Sequence, residues 1–187
     1  LQAGYQPARD VFYGLDLAAS TFCRGGMYTI KDRAGSMSAR EIIEYYKELN
    51  SKFHLLMIED PLNQDDFEGW SKLTREIGQE SVIVGDDLLT TNKDRVKKAI
   101  EMKSATAILV KPNQIGTISE TVEVTQMAKG AGWKVIVSHR SGETNDDFIA
   151  DFAVGLGADY TKFGAPARGE RVAKYNRLLQ IEQDLLT

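Results

Sequence analysis

Residues 81–111 read SVIVGDDLLTTNKDRVKKAIEMKSATAILVK, and the fold follows from how that stretch divides. Ser81 to Asp86 is a short β-branched run, and Ala107 to Lys111 is another. Between them Asn92 caps a segment carrying Val96, Ala99 and Ile100 at helical spacing. Strand, helix and strand within about thirty residues make a crossover unit, whose two strands must run parallel.

The same unit recurs on both sides. Upstream, Leu55 to Asp60 reads as a strand, followed by a helical stripe of Phe67, Trp70, Leu73 and Ile77 ended by Gly78 as a C′ residue. Earlier still, Val11 to Asp16 reads as a strand. A Gly/Ser loop leads from it to the capping box Ser38-Ala39-Arg40-Glu41 and a helix with Ile42, Ile43, Tyr46 and Leu49 on one side. Downstream, Thr117-Ile118-Ser119-Glu120 is a second capping box, and a Gly130/Gly132 break precedes a strand over Lys134 to Ser138. A helix with Phe148, Ile149 and Phe152, a strand from Asp159 to Phe163, and a final helix from Glu170 to Leu185 complete the pattern, the last with Val172, Tyr175, Leu178 and Leu179 inward. Strand ends fall at 16, 59, 86, 111, 138 and 162, spaced by 24 to 27 residues except for a first interval of 43. Six strand–helix units whose strands are apolar on both faces predict an α/β fold with a helix-covered parallel sheet, as one domain over 1–187.

Composition agrees and excludes other classes. The 187 residues carry 23 Lys+Arg against 27 Asp+Glu, a net charge of −4, with no block of like charge. A nucleic-acid binder would show a Lys/Arg stripe. The longest apolar stretches, such as Leu55 to Ile58 and Ala105 to Val110, fall far short of the roughly 20 residues that span a bilayer. Cys23 is the only cysteine, which rules out a disulfide framework or thiolate cluster. The first four residues lack the build of a signal peptide, so the expected compartment is cytoplasmic.

Chemistry gathers at the C-terminal ends of the strands: Asp16, then Glu59 with Asp60, Asp86 with Asp87, Lys111, His139 and Lys162. In parallel α/β folds this edge faces the ligand. Any one of these residues is equally well read as a helix cap, a loop charge or half of a salt bridge. Together they converge on one mouth. Carboxylates from the first three strands are hard oxygen donors suited to Mg²⁺ or Mn²⁺, and a lysine opposite them is a candidate base, expected to have a lowered pKa. Ser138-His139-Arg140-Ser141-Gly142-Glu143-Thr144 places imidazole, guanidinium and hydroxyls in one loop suited to an anion. The same loop also reads as a helix entry with capping hydroxyls.

Longer motifs carry a family resemblance. Leu56-Met57-Ile58-Glu59-Asp60-Pro61, Gly85-Asp86-Asp87-Leu88 and the run from Val110 to Thr117 resemble the C-terminal part of enolase. So do Ser138 to Thr144 with Phe148 to Asp151, Lys162 to Arg168, and Glu170 to Asn176; Gly14-Leu15-Asp16 fits the first metal strand of that family. The resemblance covers nearly the whole chain. It implies a TIM-like barrel of which six strand–helix units are present, while the first two barrel strands and an N-terminal α+β domain are absent. Leu1 to Tyr5 resembles the junction between that domain and the barrel.

By position, the resemblance implies that Asp16, Glu59 and Asp86 hold Mg²⁺ and that Lys111 takes the C2 proton of 2-phosphoglycerate. His139 and Lys162 would contact the substrate, and Arg140 with Ser141 would hold its phosphate. The general acid and the closing loops of the family belong to the absent part, so this chain alone is expected to be nearly inactive in forming phosphoenolpyruvate. Phe163, Thr161 and Asn145 depart from the usual pattern, and Phe163 stands beside Lys162. Cys23 reads as a small apolar filler, and His54 lies at the wrong end of its strand for catalysis. A non-enzymatic alternative is a partial barrel that associates through open sheet edges with a second copy or a complementing N-terminal part. Another reaction of the wider superfamily, such as acid-sugar dehydration or epimerisation, fits the phosphate loop poorly.

Overall fold

A computed structural model describes residues 3–187; of the junction motif, Leu1 and Gln2 lie outside that range. In chain order come β1 (Gly14–Asp16), a 3-10 turn (Ala19–Phe22), β2 (Cys23–Arg24), β3 (Met27–Tyr28), β4 (Met37–Ser38) and α1 (Ala39–Phe53). Then follow β5 (Met57–Glu59), α2 (Phe67–Ile77), β6 (Val82–Gly85), α3 (Lys93–Met102), β7 (Ala107–Val110), α4 (Pro112–Ile115) and α5 (Ile118–Gly130). The remainder is β8 (Lys134–Ser138), α6 (Phe148–Gly155), β9 (Tyr160–Lys162) and α7 (Gly169–Leu186).

The six main strands form one sheet in the order β1-β5-β6-β7-β8-β9, parallel throughout. In a flat sheet five strand spacings would separate the edges by about 24 Å. Instead Lys162 at the end of β9 reaches Asp16 at the end of β1, Nζ to Oδ2 2.8 Å. The sheet is therefore curled into a partial barrel. Strand alternation builds two layers. Ile108 and Val110 of β7 join Ile58, Ile83, Val135 and Val137 against the helices. Ala107 and Leu109 face the barrel interior with Val84 and Ile136, packed by Met57, Val82 and Tyr160. Burial of all four β7 residues accounts for a sequence apolar on both faces.

The helices begin where side chains satisfy their free N–H groups. Ser38 and Glu41 form the reciprocal box, and Asn92 accepts from the Asp94 and Arg95 amides. Thr117 accepts the Glu120 amide, but the Glu120 carboxylate bonds the Thr117 hydroxyl rather than completing the box. Gly78 caps α2 in right-handed geometry (φ −69°), so the left-handed C′ role expected of it is corrected. Glycine is needed there because a Cβ would stand 2.4 Å from the Thr74 carbonyl oxygen.

Three further expectations change. The first strand begins at Gly14 because residues 6–11 close a turn, the Asp10 and Val11 amides donating to the Gln6 carbonyl, which leaves Val11, Phe12 and Tyr13 exposed. The loop after β1 holds a small antiparallel sheet, β2-β3-β4, which explains the long first interval. Leu179 is 56% exposed, while the inward side of α7 buries Lys174 completely. Cys23 is a core residue. Phe163 turns into the core, edge-on to Tyr175 with ring centroids 6.1 Å apart, on the side of the strand opposite Lys162. No helix among the described residues is long and apolar enough to cross a membrane.

Candidate active site

Parallel register sets the acidic side of the mouth. Asp16 pairs with Glu59 across β1 and β5, and Asp86 follows the last residue of β6. Carboxylate oxygens of Glu59, Asp60 and Asp86 all lie within 4.8 Å of one another. Asp60 enters this trio where the sequence reading had put Asp16. Its two oxygens are committed, however: one accepts the Asp86 amide at 3.0 Å and the other the Asp87 amide at 2.8 Å. Asp60 thus ties the end of β5 to the loop after β6. It does so from a left-handed backbone (φ 46°), a conformation that costs energy outside glycine. Burial pushes its carboxyl up to about 7, against the two amides, which favour the ionised form.

Two ammonium groups stand among these acids. Lys162 Nζ lies 2.8 Å from both Glu59 oxygens and 2.8 Å from Asp16 Oδ2, while Lys111 pairs with Asp86. Burial raises the Glu59 carboxyl, and the Lys162 bonds only partly offset it. For Lys162, burial works downward, but the bonds to Asp16 and Glu59 prevail and hold the ammonium above its ordinary value. The lowered pKa expected of such a lysine is therefore corrected for Lys162. Its partners are two carboxylates, and their pull outweighs the cost of burial. A cavity of about 240 Å³ opens inside the barrel below these groups, lined by Asp16, Glu59, Lys162, Leu109, Ile136 and Tyr160.

The donor chemistry fits a hard cation. Every candidate ligand is a carboxylate oxygen, no thiolate or imidazole is among them, and ammonium groups already occupy the places where positive charge is favoured. Asp16, Glu59 and Asp86 retain oxygens bound only by lysines or by the Gln114 amide, unlike the doubly tied Asp60.

Lys111 is fixed from behind. Its amide donates to Thr91 Oγ1 at 3.0 Å, and that hydroxyl donates to Gln114 Oε1 at 2.9 Å. Thr91 is fully buried with φ 52°; the sequence reading gave no site role to it or to Gln114, and named Asp60 at its strand end without making it a ligand. The acidic pairs at the ends of β5 and β6 were the signal for Asp60. Thr91 stands in a stretch that carries the resemblance, but no local pattern marked its bond to Lys111.

On the far side, His139 follows β8, and its ring Nδ1 contacts the Arg171 guanidinium. Arginine has no acceptor, so Nδ1 is the unprotonated nitrogen. Burial and then Arg171 lower the imidazole pKa, keeping the ring neutral with its proton on Nε2. Gly164 (φ +83°) permits this approach, because a Cβ there would lie 2.8 Å from His139 Cε1. Arg140 and Ser141 are exposed, and Arg140 Nη1 donates to Asn113 Oδ1 at 3.1 Å. A cavity of about 390 Å³ beside them is lined by Asn113, Arg140, Glu143, Thr144 and Phe148. Thus Asp16, Glu59, Asp86, Lys111 and Lys162 converge in direct contacts, while His139, Arg140 and Ser141 form the adjoining rim.

Comparison with known proteins gives the family. The family described as "Enolase, C-terminal TIM barrel domain" matches residues 1–187. An enolase from a Nitratiruptor species is 50% identical over 185 residues, covering 99% of this chain and 44% of that protein. An enolase from Methanopyrus kandleri is 50% identical over 184 residues (98% and 43%), and enolase 1 from Methanospirillum hungatei is 45% identical over 183 (98% and 43%). The chain spans less than half the length of these relatives. The match over its whole length, on a curled parallel sheet with the charged residues at its mouth, shows that the chain belongs to the enolase C-terminal TIM barrel family.

Proposed function

We propose that this chain is the barrel part, as a single domain over 1–187, of an enzyme that dehydrates 2-phosphoglycerate to phosphoenolpyruvate. The observation that supports it most is the meeting of two lysines at the ends of β7 and β9 with three carboxylates at the ends of β1, β5 and β6. In this reading Asp16, Glu59 and Asp86 hold Mg²⁺. The ion would supply the charge that makes the C2 proton, beside the substrate carboxylate, acidic enough to remove. Lys111 takes that proton. Lys162 and the neutral His139 bind the substrate near the acids, and Arg140 and Ser141 take the phosphate through parallel hydrogen bonds. Loss of the leaving hydroxyl needs a proton donor, which in this reading lies outside these 187 residues; such assistance is worth roughly 10²–10⁴ in rate.

The test uses the 187-residue chain with Mg²⁺ and 2-phosphoglycerate in D₂O. Slow deuterium incorporation at C2 is expected, with little dehydration, and Lys111→Ala should abolish it. Calorimetry should show saturable Mg²⁺ binding that Glu59→Ala removes. Equal exchange by wild type and Lys111→Ala would sink the base assignment, and equal Mg²⁺ titrations the ligand assignment.

A second reading, association through sheet edges, is favoured by the pairing of β1 and β9 on one side only among the described residues and by exposed Val11, Phe12 and Tyr13. Sedimentation at micromolar concentration should then show a dimer, and a stable monomer of 20.8 kDa would exclude it.

A further inference from the structure

The rim loop is exposed, yet its main chain is gathered by two cations from one helix. Arg171 and Lys174 lie three positions apart on α7 and so share a face. Arg171 Nη1 donates to the Arg140 carbonyl and Nη2 to the Ser141 carbonyl, both at 2.8 Å. Lys174 Nζ donates to the Thr144 and Asp146 carbonyls and pairs with Glu143 Oε2, all at 2.7 Å. The ammonium has three protons and three acceptors, and its side chain is fully buried. Glu143, held in this way, accepts the Arg140 amide through Oε1 at 2.8 Å.

Arg140 therefore has both its N–H and its C=O fixed by side chains that α7 holds or supplies. Water could satisfy the carbonyls of an exposed loop at little cost, whereas burying an ammonium is expensive unless every proton is used. Loop solvation thus gives no reason for a charge at position 174, and control of loop shape does.

We propose that Arg171 and Lys174 are positioning residues that set the conformation of residues 139–146 and thereby aim Arg140 and Ser141 at an anionic phosphate ester. The inference rests on the reading that those two residues bind phosphate. Arg171 adds a second link, since its contact with His139 Nδ1 ties the ring to the same scaffold.

The test compares wild type with Arg140→Ala, Arg171→Lys and Lys174→Met in the 187-residue chain. Affinity for 2-phosphoglycerate is read by calorimetry at fixed Mg²⁺, Mg²⁺ affinity is read alone, and exchange of the Arg140 amide is read by NMR. Arg171→Lys and Lys174→Met should each weaken phosphate-ester binding about tenfold while leaving Mg²⁺ affinity unchanged. Lys174→Met should also speed exchange of the Arg140 amide by releasing Glu143. Should Lys174→Met fail to fold, Arg171→Lys carries the test, because one ammonium cannot span the two carbonyls that the guanidinium fork holds. Wild-type phosphate-ester affinity in Arg171→Lys, or a parallel loss of Mg²⁺ affinity, would overturn the positioning role while Arg140→Ala still impairs binding. If Arg140→Ala itself binds as wild type does, the phosphate reading fails first and the inference falls with it.

Discussion

The acidic side of the mouth and the rim loop are built by different means. Asp16, Glu59 and Asp86 stand at the ends of neighbouring strands, so the main-chain ladder that makes the sheet also spaces the carboxylates. Only the Asp60 clamp is added. The loop from His139 to Asp146 has no ladder beyond the His139 amide on the Lys162 carbonyl, and its order comes from side chains about thirty residues further along the chain. A site can thus be rigid because its backbone is paired, or because distant side chains collect its carbonyls. The first kind is vulnerable to lost backbone partners, the second to lost charge.

Four changes bear on that contrast. The largest effect is expected from Asp60→Ala, which strands two amides beneath the acidic side; at about 1–3 kcal/mol each, urea unfolding should show a loss of about 2–6 kcal/mol. A loss near zero would mean that the ladder alone holds Asp86 in place. Gly164→Ala comes next. Its left-handed backbone costs about 1–2 kcal/mol with any side chain, and the added methyl should also displace His139, visible as a shifted imidazole resonance. An unmoved resonance would show that the ring is not confined from that side.

Third is Glu143→Gln, whose effect should depend on pH. Burial raises the Glu143 carboxyl, but Lys174 and the Arg140 amide outweigh it and hold it below the ordinary 4.5. The native state therefore releases this proton more readily than the unfolded chain does. The stabilisation it gives is complete above the ordinary value and is lost as pH falls through the lowered one. The gap in urea midpoint between variant and wild type should be widest near neutrality and close only once pH has fallen below the lowered value. A gap independent of pH would assign the effect to packing. The smallest change is Lys134→Ala at the opposite barrel end, where Lys134 pairs with Asp159 at 2.7 Å and is half exposed. Its effect on the urea midpoint should be the smallest of the four and vanish in high salt, since exposed pairs are screened.

The same contrast explains what could be read from the sequence. Strand runs such as 107–110 and caps such as Ser38 and Asn92 are local, so periodicity and capping chemistry revealed them, and strand ends revealed the charged residues. The β2-β3-β4 sheet was not legible, because two-residue strands have no period. Lys174 could not be recognised either. On a helix with Val172, Tyr175 and Leu178 it reads as a solvated charge, and only the return of the loop at 143–146 buries it. Thr91 likewise gains meaning only when β7 brings Lys111 against it.

The Lys162 bridge joins positions 146 residues apart. A ribosome adding about 5–20 residues per second needs roughly 7–30 s between delivering Asp16 and delivering Lys162. During that interval β1 and β5 can already pair, bringing Asp16 and Glu59 together before their common counter-charge has been made. The nascent sheet is then an anionic, unclosed edge, at its most open to pairing with another emerging chain. Residues 160–187 then bring β9 and α7, and with them both the ammonium that neutralises Asp16 and Glu59 and the helix that shapes the rim.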